Sequence, residues 1–179
     1  MSIQFKIAMI GPKGVGKSTI SNGICNFTPN IIPSEYRPTR GVRILETDQE
    51  FNDEQLKIFK ERNIKKANIQ IWDIGGDKVN ENYWPAVKAE LTGLILILDA
   101  KNLKIDNLLD EWINSFSNQP KFDIDNMICI VYNKENSKSD KQITSNQFPK
   151  LNIYETNYDM NNLLPIFHQF IDKLIMKNK

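Results

Sequence analysis

A stretch near the start of the chain, Gly11–Ser18, has the residue types and spacing of a phosphate-binding loop. It reads Gly-Pro-Lys-Gly-Val-Gly-Lys-Ser and fits the pattern G-x-x-x-x-G-K-[ST]. In such a loop the backbone N–H groups and the positive end of the following helix face one concavity, which binds anions. Lys17 is then expected to reach the β- and γ-phosphates of a nucleotide, and the Ser18 hydroxyl to ligate Mg²⁺.

Later motifs distinguish among the kinases, ATPases and GTPases that share this loop. Asp73 and Gly76 form a D-x-x-G motif, in which the aspartate can hold Mg²⁺ through water and the glycine N–H can sense the γ-phosphate. Thr39 precedes them, and its hydroxyl oxygen can complete the coordination of the Mg²⁺. Two further motifs, Asn133–Asn136 and Glu155–Asn157, each follow a predicted strand. Each motif after the phosphate loop is weak evidence alone, but their order and spacing make the set a strong indication. Nucleotide kinases have no such series of motifs.

The elements that must position these residues alternate between strand and helix, which implies a parallel sheet covered on both faces. The predicted strands are Phe5–Ile10, Val42–Glu46, Asn68–Trp72, Gly93–Asp99, Met127–Tyr132 and Asn152–Tyr154. The predicted helices are Lys17–Phe27, Ile105–Phe116 and Met160–Met176, and the last two carry their apolar residues on one face.

Length and composition limit the possible functions. The chain has 179 residues, which suits a single domain over residues 1–179. Its formal net charge of +1 gives no reason to expect a nucleic acid or an acidic membrane as a partner. Cys25 and Cys129 lie in apolar settings and are expected to be reduced thiols. There is no apolar run of membrane-spanning length and no lipidation motif, so we expect no direct membrane anchor.

Two segments break the alternation of strand and helix. The polar segment 48–66 is expected to be an insertion or extension, either a long hairpin tip or a short helix. The segment 134–150 is rich in Asn, Ser and Lys and is predicted to be a loop. Its polarity would leave that flank of the sheet open unless the segment itself or a partner covers it.

The series of motifs resembles that of the small GTPases of the Ras superfamily, from Phe5 onward. A denser likeness, from Ile7 to Leu98, is to the Rab-like 5 family, the small GTPase-like subunits of the intraflagellar transport B complex. It is carried by Tyr36-x-Pro38-Thr39-x-Gly41-Val42-Arg43-Ile44-Leu45-Glu46, by Trp72-Asp73-x-Gly75-Gly76-Asp77 and by Trp84-Pro85-Ala86.

This resemblance implies an α/β P-loop NTPase fold of the small-GTPase type, with a mostly parallel six-stranded sheet and helices on both faces. The region after Lys134 is too short and too polar for the fourth helix of that fold, which we therefore expect to be degenerate. The resemblance also implies GTP or GDP with Mg²⁺ as ligands and the coiled-coil core subunits of that complex as partners. It further implies a location in the cytoplasm, the cilium or flagellum and the basal body.

The expected site follows residue by residue from the motifs. The expected metal ligands are Ser18, Thr39 and Asp73. The residues expected to contact the nucleotide are Gly11, Lys13, Gly14, Val15, Gly16, Lys17, Ser18, Thr19, Thr39, Gly76, Asn133, Lys134, Asn136, Thr156 and Asn157.

Two departures from the Ras pattern bear on hydrolysis, and no residue is assigned a catalytic role. Asp77 stands where Ras-like proteins have the glutamine that orients the attacking water. A carboxylate there is repelled by the γ-phosphate and cannot donate a hydrogen bond to the transition state. Lys13 replaces a small glycine, and its side chain either stabilises charge, as an arginine finger does, or crowds the water and any activating protein. We expect at most slow hydrolysis.

A third departure concerns the base. Guanine is normally held by an aspartate at the position of Asn136, which accepts hydrogen bonds from two donors on the base. Losing the ionic acceptor and leaving a donor unpaired costs on the order of 2–4 kcal/mol. That is roughly 30- to 1000-fold in affinity, so we expect micromolar binding and a weak preference for guanine.

Two functions stay open from the sequence. The chain is either a nucleotide-binding interaction module with slow or absent hydrolysis, or an active Rab- or Arf-like switch that cycles between GTP and GDP states. Arg37, Arg40 and Arg43 near Tyr36 are either a partner surface or solvated charges. Trp84 is either a partner anchor or a plug packed on the sheet.

Overall fold

One mixed sheet organises the part of the chain that the computed structural model describes, residues 2–25, 37–59, 64–101, 105–117, 122–133, 143–145, 147–157 and 159–177. The strands are β1 (Ser2–Ile10), β2 (Val42–Glu50), β3 (Lys66–Ile74), β4 (Gly93–Asp99), β5 (Met127–Tyr132) and β6 (Asn152–Thr156). The helices are α1 (Lys17–Ile24), α2 (Asp53–Ile58), α3 (Trp84–Lys88), α4 (Ile105–Ser117) and α5 (Met160–Lys177), with 3₁₀ helices at Lys78–Tyr83 and Ile124–Asn126.

The strand order is β2-β3-β1-β4-β5-β6, and only β2 runs antiparallel, against β3. Because the other five strands are parallel, the loops that follow them leave the sheet at one edge, where open α/β sheets bind ligands. The predicted six-stranded, mostly parallel α/β fold is confirmed.

Helices cover both faces of the sheet, as predicted. On one face, Ile20 of α1 and Ile171 of α5 are buried in the same core cluster. On the other face, Trp84 of α3 and Ile113 of α4 belong to a second cluster. The strand β4 lies between the two, and its residues from Gly93 to Leu98 are all buried, which explains its continuous apolar run.

Trp84 packs in the core. Its side chain is 8% exposed, and its ring centroid lies 5.4 Å from that of Phe116 and 6.3 Å from that of Trp112. Of the two interpretations of this tryptophan, the structure therefore supports the plug and contradicts the exposed partner anchor.

The β2–β3 hairpin is longer than predicted. Its register runs from Val42 opposite Ile74 to Glu50 opposite Lys66, so both ends of the segment 48–66 belong to strands. The sequence did not predict this extension, because the added strand residues are mostly polar and their side chains pair with each other at the hairpin tip. Asp48 accepts hydrogen bonds from Lys66, at 3.1 Å, and from Asn68.

The middle of that segment contains α2, so the two alternatives, hairpin tip and short helix, both occur. The Asn52 side chain accepts from the Gln55 backbone N–H at 2.9 Å and the Gln55 side chain accepts from the Asn52 N–H at 3.0 Å, a reciprocal capping box. Phe51 and Phe59 are buried on either side, and Gln55 also donates to Asp172 of α5 at 2.7 Å. The segment is thus tied to the main core.

The flank that the sequence left open is covered by part of the segment 134–150 and the residue after it. Ile143, Phe148 and Leu151 pack on the α4 side of the sheet, and the buried Ser145 hydroxyl donates to Asp110 at 3.1 Å. Residues 143–145 and 147–151 contain no helix. The rest of the segment lies outside the described residues, so the degenerate fourth helix stays a prediction.

Smaller differences concern the ends of elements. β6 extends to Thr156 rather than Tyr154, and α1 ends at Ile24, whereas its predicted last residue, Phe27, lies outside the described residues. Cys25 and Cys129 are free thiols, as expected. Across the described ranges, no helix has the length and hydrophobicity that crossing a bilayer requires.

Candidate functional site

The predicted phosphate loop connects β1 to α1. Gly16 is the N-cap of α1 with φ of 87°, and Gly14 has φ of 81°. Both values lie in the left-handed region, which is costly for other residues, so the local pattern of glycines is what lets the chain turn directly from strand into helix. The loop residues Gly11, Lys13, Gly14, Val15 and Gly16 therefore lie together with the first residues of α1, Lys17, Ser18 and Thr19.

Lys17 is held inside this loop. Its ammonium donates to the carbonyl oxygens of Gly11 and Pro12, each at 2.9 Å, and the side chain is only 5% exposed. Burial lowers the pKa of Lys17 from 10.5 to about 8, and the charge of Asp73 opposes that shift. The loop thus contains a buried cation that can exchange backbone oxygens for those of an anion.

The three predicted metal ligands converge beside the loop. The Ser18 and Thr39 hydroxyl oxygens are 2.6 Å apart. Asp73 is fully buried at the end of β3, and neither of its carboxylate oxygens has a hydrogen-bond donor among the described residues. Burial raises the pKa of Asp73, and the adjacent Ser18, Arg43 and Lys17 oppose that rise.

This donor set fits Mg²⁺. It consists only of oxygen atoms, the ligands that Mg²⁺ prefers, and it includes a buried carboxylate that accepts no hydrogen bond from the described residues. Mg²⁺ usually keeps waters and binds through one or two carboxylates plus substrate phosphates. The described residues contain no cluster of three or more His, Cys, Asp or Glu side chains that could hold a metal ion.

The segments around Thr39 and Gly76 are in direct contact with the loop and with each other. The Gly75 N–H donates to the Gly41 carbonyl at 2.9 Å, and the Asn80 side chain accepts from the Gly41 N–H at 3.2 Å. A Cβ atom on Gly76 would lie 2.5 Å from the Lys13 nitrogen. Only glycine permits this approach, which places the D-x-x-G motif against the phosphate loop.

The two departures from the Ras pattern that bear on hydrolysis, Lys13 and Asp77, contact each other. The Lys13 ammonium lies 3.2 Å from Oδ2 of Asp77, and both side chains are about half exposed. A pair this exposed contributes at most about 1 kcal/mol. The charge of Lys13 is thus directed at Asp77.

The predicted base-binding residues also come together in part. The Asn133 N–H donates to the Thr156 carbonyl at 2.9 Å, and the Asn133 side chain donates to Glu155 at 2.6 Å. The Thr156 hydroxyl donates to the Asn157 carbonyl at 3.0 Å. These contacts join the loops after β5 and β6. Lys134 and Asn136 lie outside the described residues.

Sequence reasoning missed several residues at this site. Arg43 lies 3.4 Å from Oδ2 of Asp73 and donates to Asn22 at 2.6 Å, so it contacts the site although its side chain is 42% exposed. Arg37 and Arg40 are exposed, and Tyr36 lies outside the described residues. Asn80 and Glu155 were likewise not predicted as contacts. The one available signal was the hairpin, whose register sets Arg43 opposite Asp73.

Comparison with known proteins yields consistent relatives. Intraflagellar transport associated protein 2 of Caenorhabditis elegans is 29% identical over 155 residues, which are 74% of this chain and 61% of that protein. Intraflagellar transport protein 22 of Trypanosoma brucei brucei is 31% identical over 122 residues, 68% of this chain and 55% of that protein. The intraflagellar transport protein 22 homolog of Homo sapiens is 28% identical over 159 residues, 88% of this chain and 81% of that protein.

The chain thus spans less than two thirds of the worm and trypanosome proteins that it matches. The resemblance to the GTPase-like subunits of intraflagellar transport is confirmed by these relatives. A family model described as the Ras of Complex, Roc, domain of DAPkinase matches residues 6–136, from β1 to just beyond β5. Because that match covers well over half of the sequence, the chain belongs to the Roc family of Ras-like GTPase domains.

Proposed function

We propose that this chain binds GTP and GDP with Mg²⁺ and acts as a small GTPase-like subunit of the intraflagellar transport B complex. In this role it serves mainly as a nucleotide-binding interaction module with slow or absent hydrolysis. The observation that carries the proposal is the convergence of a buried ammonium, two hydroxyls 2.6 Å apart and a buried carboxylate without a hydrogen-bond donor among the described residues, all beside one phosphate loop.

Each of these groups has a task in binding. Lys17 would exchange the carbonyls of Gly11 and Pro12 for phosphate oxygens. The buried ammonium would then pair with negatively charged oxygens instead of neutral ones. Ser18, Thr39 and Asp73 would hold Mg²⁺, which neutralises phosphate charge when bound. Gly76, packed against the loop, is placed to offer its backbone N–H to the terminal phosphate.

Guanine recognition would come from the loops after β5 and β6. Asn133 is already oriented by Thr156 and Glu155, and the stem of Lys134 would pack over the face of the base. Asn136 supplies one acceptor where an aspartate would supply two, so the proposal includes micromolar affinity and weak preference for guanine over adenine.

The slow hydrolysis rests on the contact between Lys13 and Asp77. A glutamine at the position of Asp77 would accept from the attacking water and donate to the transition state, whereas a carboxylate can only accept. Asp77 is in addition paired with Lys13 at 3.2 Å. The chain therefore offers no side chain in the usual water-positioning role at that point.

Membership of the transport complex is inferred from the names of the relatives, which are intraflagellar transport proteins in three distant organisms. The same inference gives coiled-coil core subunits of complex B as partners and the cilium or flagellum, its basal body and the cytoplasm as locations. Neither nucleic acid nor a direct lipid anchor has a part in this proposal.

One observation favours the alternative, an active Rab- or Arf-like switch. Thr39, which lies just before β2, is already hydrogen-bonded to Ser18. A switch of this type orders that threonine on Mg²⁺ in the GTP state and releases it after hydrolysis.

Calorimetric titration of nucleotide-free protein with GTP, GDP and ATP in Mg²⁺ tests both functions, with Lys17→Ala as the control for the phosphate site. The proposal expects micromolar GTP and GDP binding, loss of that binding in the variant, and no phosphate release overnight. Tight, strictly guanine-selective binding with measurable phosphate release would instead establish the switch. An absence of nucleotide binding would refute both.

A further inference from the structure

Arg43 contacts the carboxylate of the metal site from the neighbouring strand. Arg43 on β2 and Asp73 on β3 are directly opposite in the antiparallel register, so their side chains leave the sheet on the same face. The Arg43 Nε lies 3.4 Å from Oδ2 of Asp73. Asp73 is fully buried, whereas the Arg43 side chain is 42% exposed, so the arginine reaches inward from the surface to a buried charge.

A second contact holds the guanidinium in place. Nη2 of Arg43 donates to Oδ1 of Asn22 at 2.6 Å, and Asn22 lies on α1 one turn after Ser18. The planar guanidinium is therefore fixed between the carboxylate of the metal site and the helix that follows the phosphate loop. This guanidinium places a positive charge directly beside the carboxylate of the metal site.

Lys17 is the other cation near Asp73, but its ammonium is directed at the carbonyls of Gly11 and Pro12. The Asp73 carboxylate accepts no hydrogen bond from the described residues, and Arg43 is its ion-pair partner among them. A cation that enters among Ser18, Thr39 and Asp73 would meet a positive charge already placed beside its only carboxylate.

We propose that Arg43 is a resident counter-cation of the metal site and makes nucleotide binding only weakly dependent on Mg²⁺. This inference rests on the proposed binding of nucleotide and Mg²⁺ at the phosphate loop. Without Mg²⁺, Arg43 screens the Asp73 carboxylate from the nucleotide phosphates, and so reduces their repulsion. With Mg²⁺, the arginine competes for Asp73 and repels the ion, and so reduces the gain from the metal.

The test measures the dissociation constant of a fluorescent GDP, N-methylanthraniloyl-GDP, in excess Mg²⁺ and in excess EDTA. The quantity of interest is the EDTA-to-Mg²⁺ ratio of the two constants. It is determined for the unmodified chain, for Arg43→Gln, and for Arg40→Gln as a matched control that removes an exposed arginine from the same stretch.

We expect a ratio below about tenfold in the unmodified chain, and a ratio at least about tenfold larger in Arg43→Gln, the effect of one nearby charge at the effective dielectric of a protein surface. Arg40→Gln is expected to match the unmodified chain. Circular dichroism verifies that the variants fold. If Arg43→Gln does not fold, the ratio of the unmodified chain decides alone.

Three results would overturn the proposal while leaving nucleotide binding intact: a ratio above about tenfold in the unmodified chain, an unchanged ratio in Arg43→Gln, or an equal shift in Arg40→Gln. A failure of the unmodified chain to bind in either buffer would overturn the proposed function, and this inference with it. The two failures are therefore distinguishable.

Discussion

Lys13 and Asp77 join the phosphate loop to the segment that follows β3, at the place where hydrolysis in Ras-like proteins depends on a small residue and a glutamine. The pair is exposed and energetically weak, so its importance lies in what it replaces rather than in stability. Changing either side chain should alter chemistry at the site with little effect on folding.

Asp77→Gln combined with Lys13→Gly should raise the rate of GTP hydrolysis by at least about tenfold, since a properly placed donor to the transition state is worth that much or more. Single-turnover phosphate release at saturating Mg²⁺–GTP measures the rate. Glu111→Gln, which removes an exposed carboxylate on α4, serves as the control and should leave the rate unchanged. An unaltered rate in the double variant would show that hydrolysis is limited elsewhere.

Gly76→Ala should destabilise the contact between the D-x-x-G motif and the phosphate loop. The added Cβ would lie 2.5 Å from the Lys13 nitrogen and 2.6 Å from the Gly11 oxygen, backbone atoms that cannot move aside cheaply. We expect a loss of about 1–3 kcal/mol in the free energy of unfolding, measured by denaturant titration, together with weaker GTP binding.

Gly23→Ala is the matched control for that substitution. Its Cβ would also crowd a neighbour at 2.5 Å, but that neighbour is the flexible end of Met160, and the position is inside α1, where alanine favours the helix. Its stability should stay within about 1 kcal/mol of the unmodified chain. Equal losses in both variants would contradict the special role of Gly76.

At the scale of elements, α2 is the feature that most needs its tertiary contacts. It has six residues, far fewer than an isolated helix needs in water. Its capping box, the Gln55 hydrogen bond to α5 and the edge-to-face contact of Phe51 with Phe59, whose centroids are 5.1 Å apart, hold it on the sheet. The segment between β2 and β3 is therefore part of the fold.

Phe59→Ala should destabilise the chain by about 3–5 kcal/mol, because it empties a position that is only 2% exposed. Ile58→Ala, one residue away and 61% exposed, should change stability by less than about 0.5 kcal/mol. Both are measured by denaturant unfolding. A mild effect of Phe59→Ala would indicate that the segment is an independent appendage.

At the scale of the whole molecule, the site belongs to no single element. The phosphate loop and the segment around Gly76 follow β1 and β3, the loops proposed to bind the base follow β5 and β6, and the segment around Thr39 precedes the antiparallel β2. All of them therefore lie at one edge of the sheet. A ligand that contacts all of them must stabilise the fold as a unit, since the unfolded chain cannot bind it.

Mg²⁺–GDP at about a hundred times its dissociation constant should therefore raise the melting temperature by about 5–10 °C. Differential scanning fluorimetry with and without nucleotide measures the shift. Lys17→Ala, which lacks the buried ammonium, should show almost no shift. A full shift in that variant would mean that stabilisation does not come from the phosphate loop.

Much of this architecture was predictable, for reasons that differ between elements. The buried β4 and the amphipathic α4 were located to within a residue because burial imposes a local pattern on the sequence. The predicted β2 and β3 were too short because polar pairs such as Asp48 with Lys66, at 3.1 Å, stabilise the added strand residues without an apolar pattern.

By itself the sequence determined the phosphate loop, the order of the motifs and the alternation of strand and helix, because each of these depends on residues that are neighbours in the chain. Only the tertiary structure decided that Lys13 pairs with Asp77, that Arg43 contacts Asp73 and that Trp84 is a core residue. The physical reason is that these contacts join residues distant in the chain, and strand register and helix packing set their geometry.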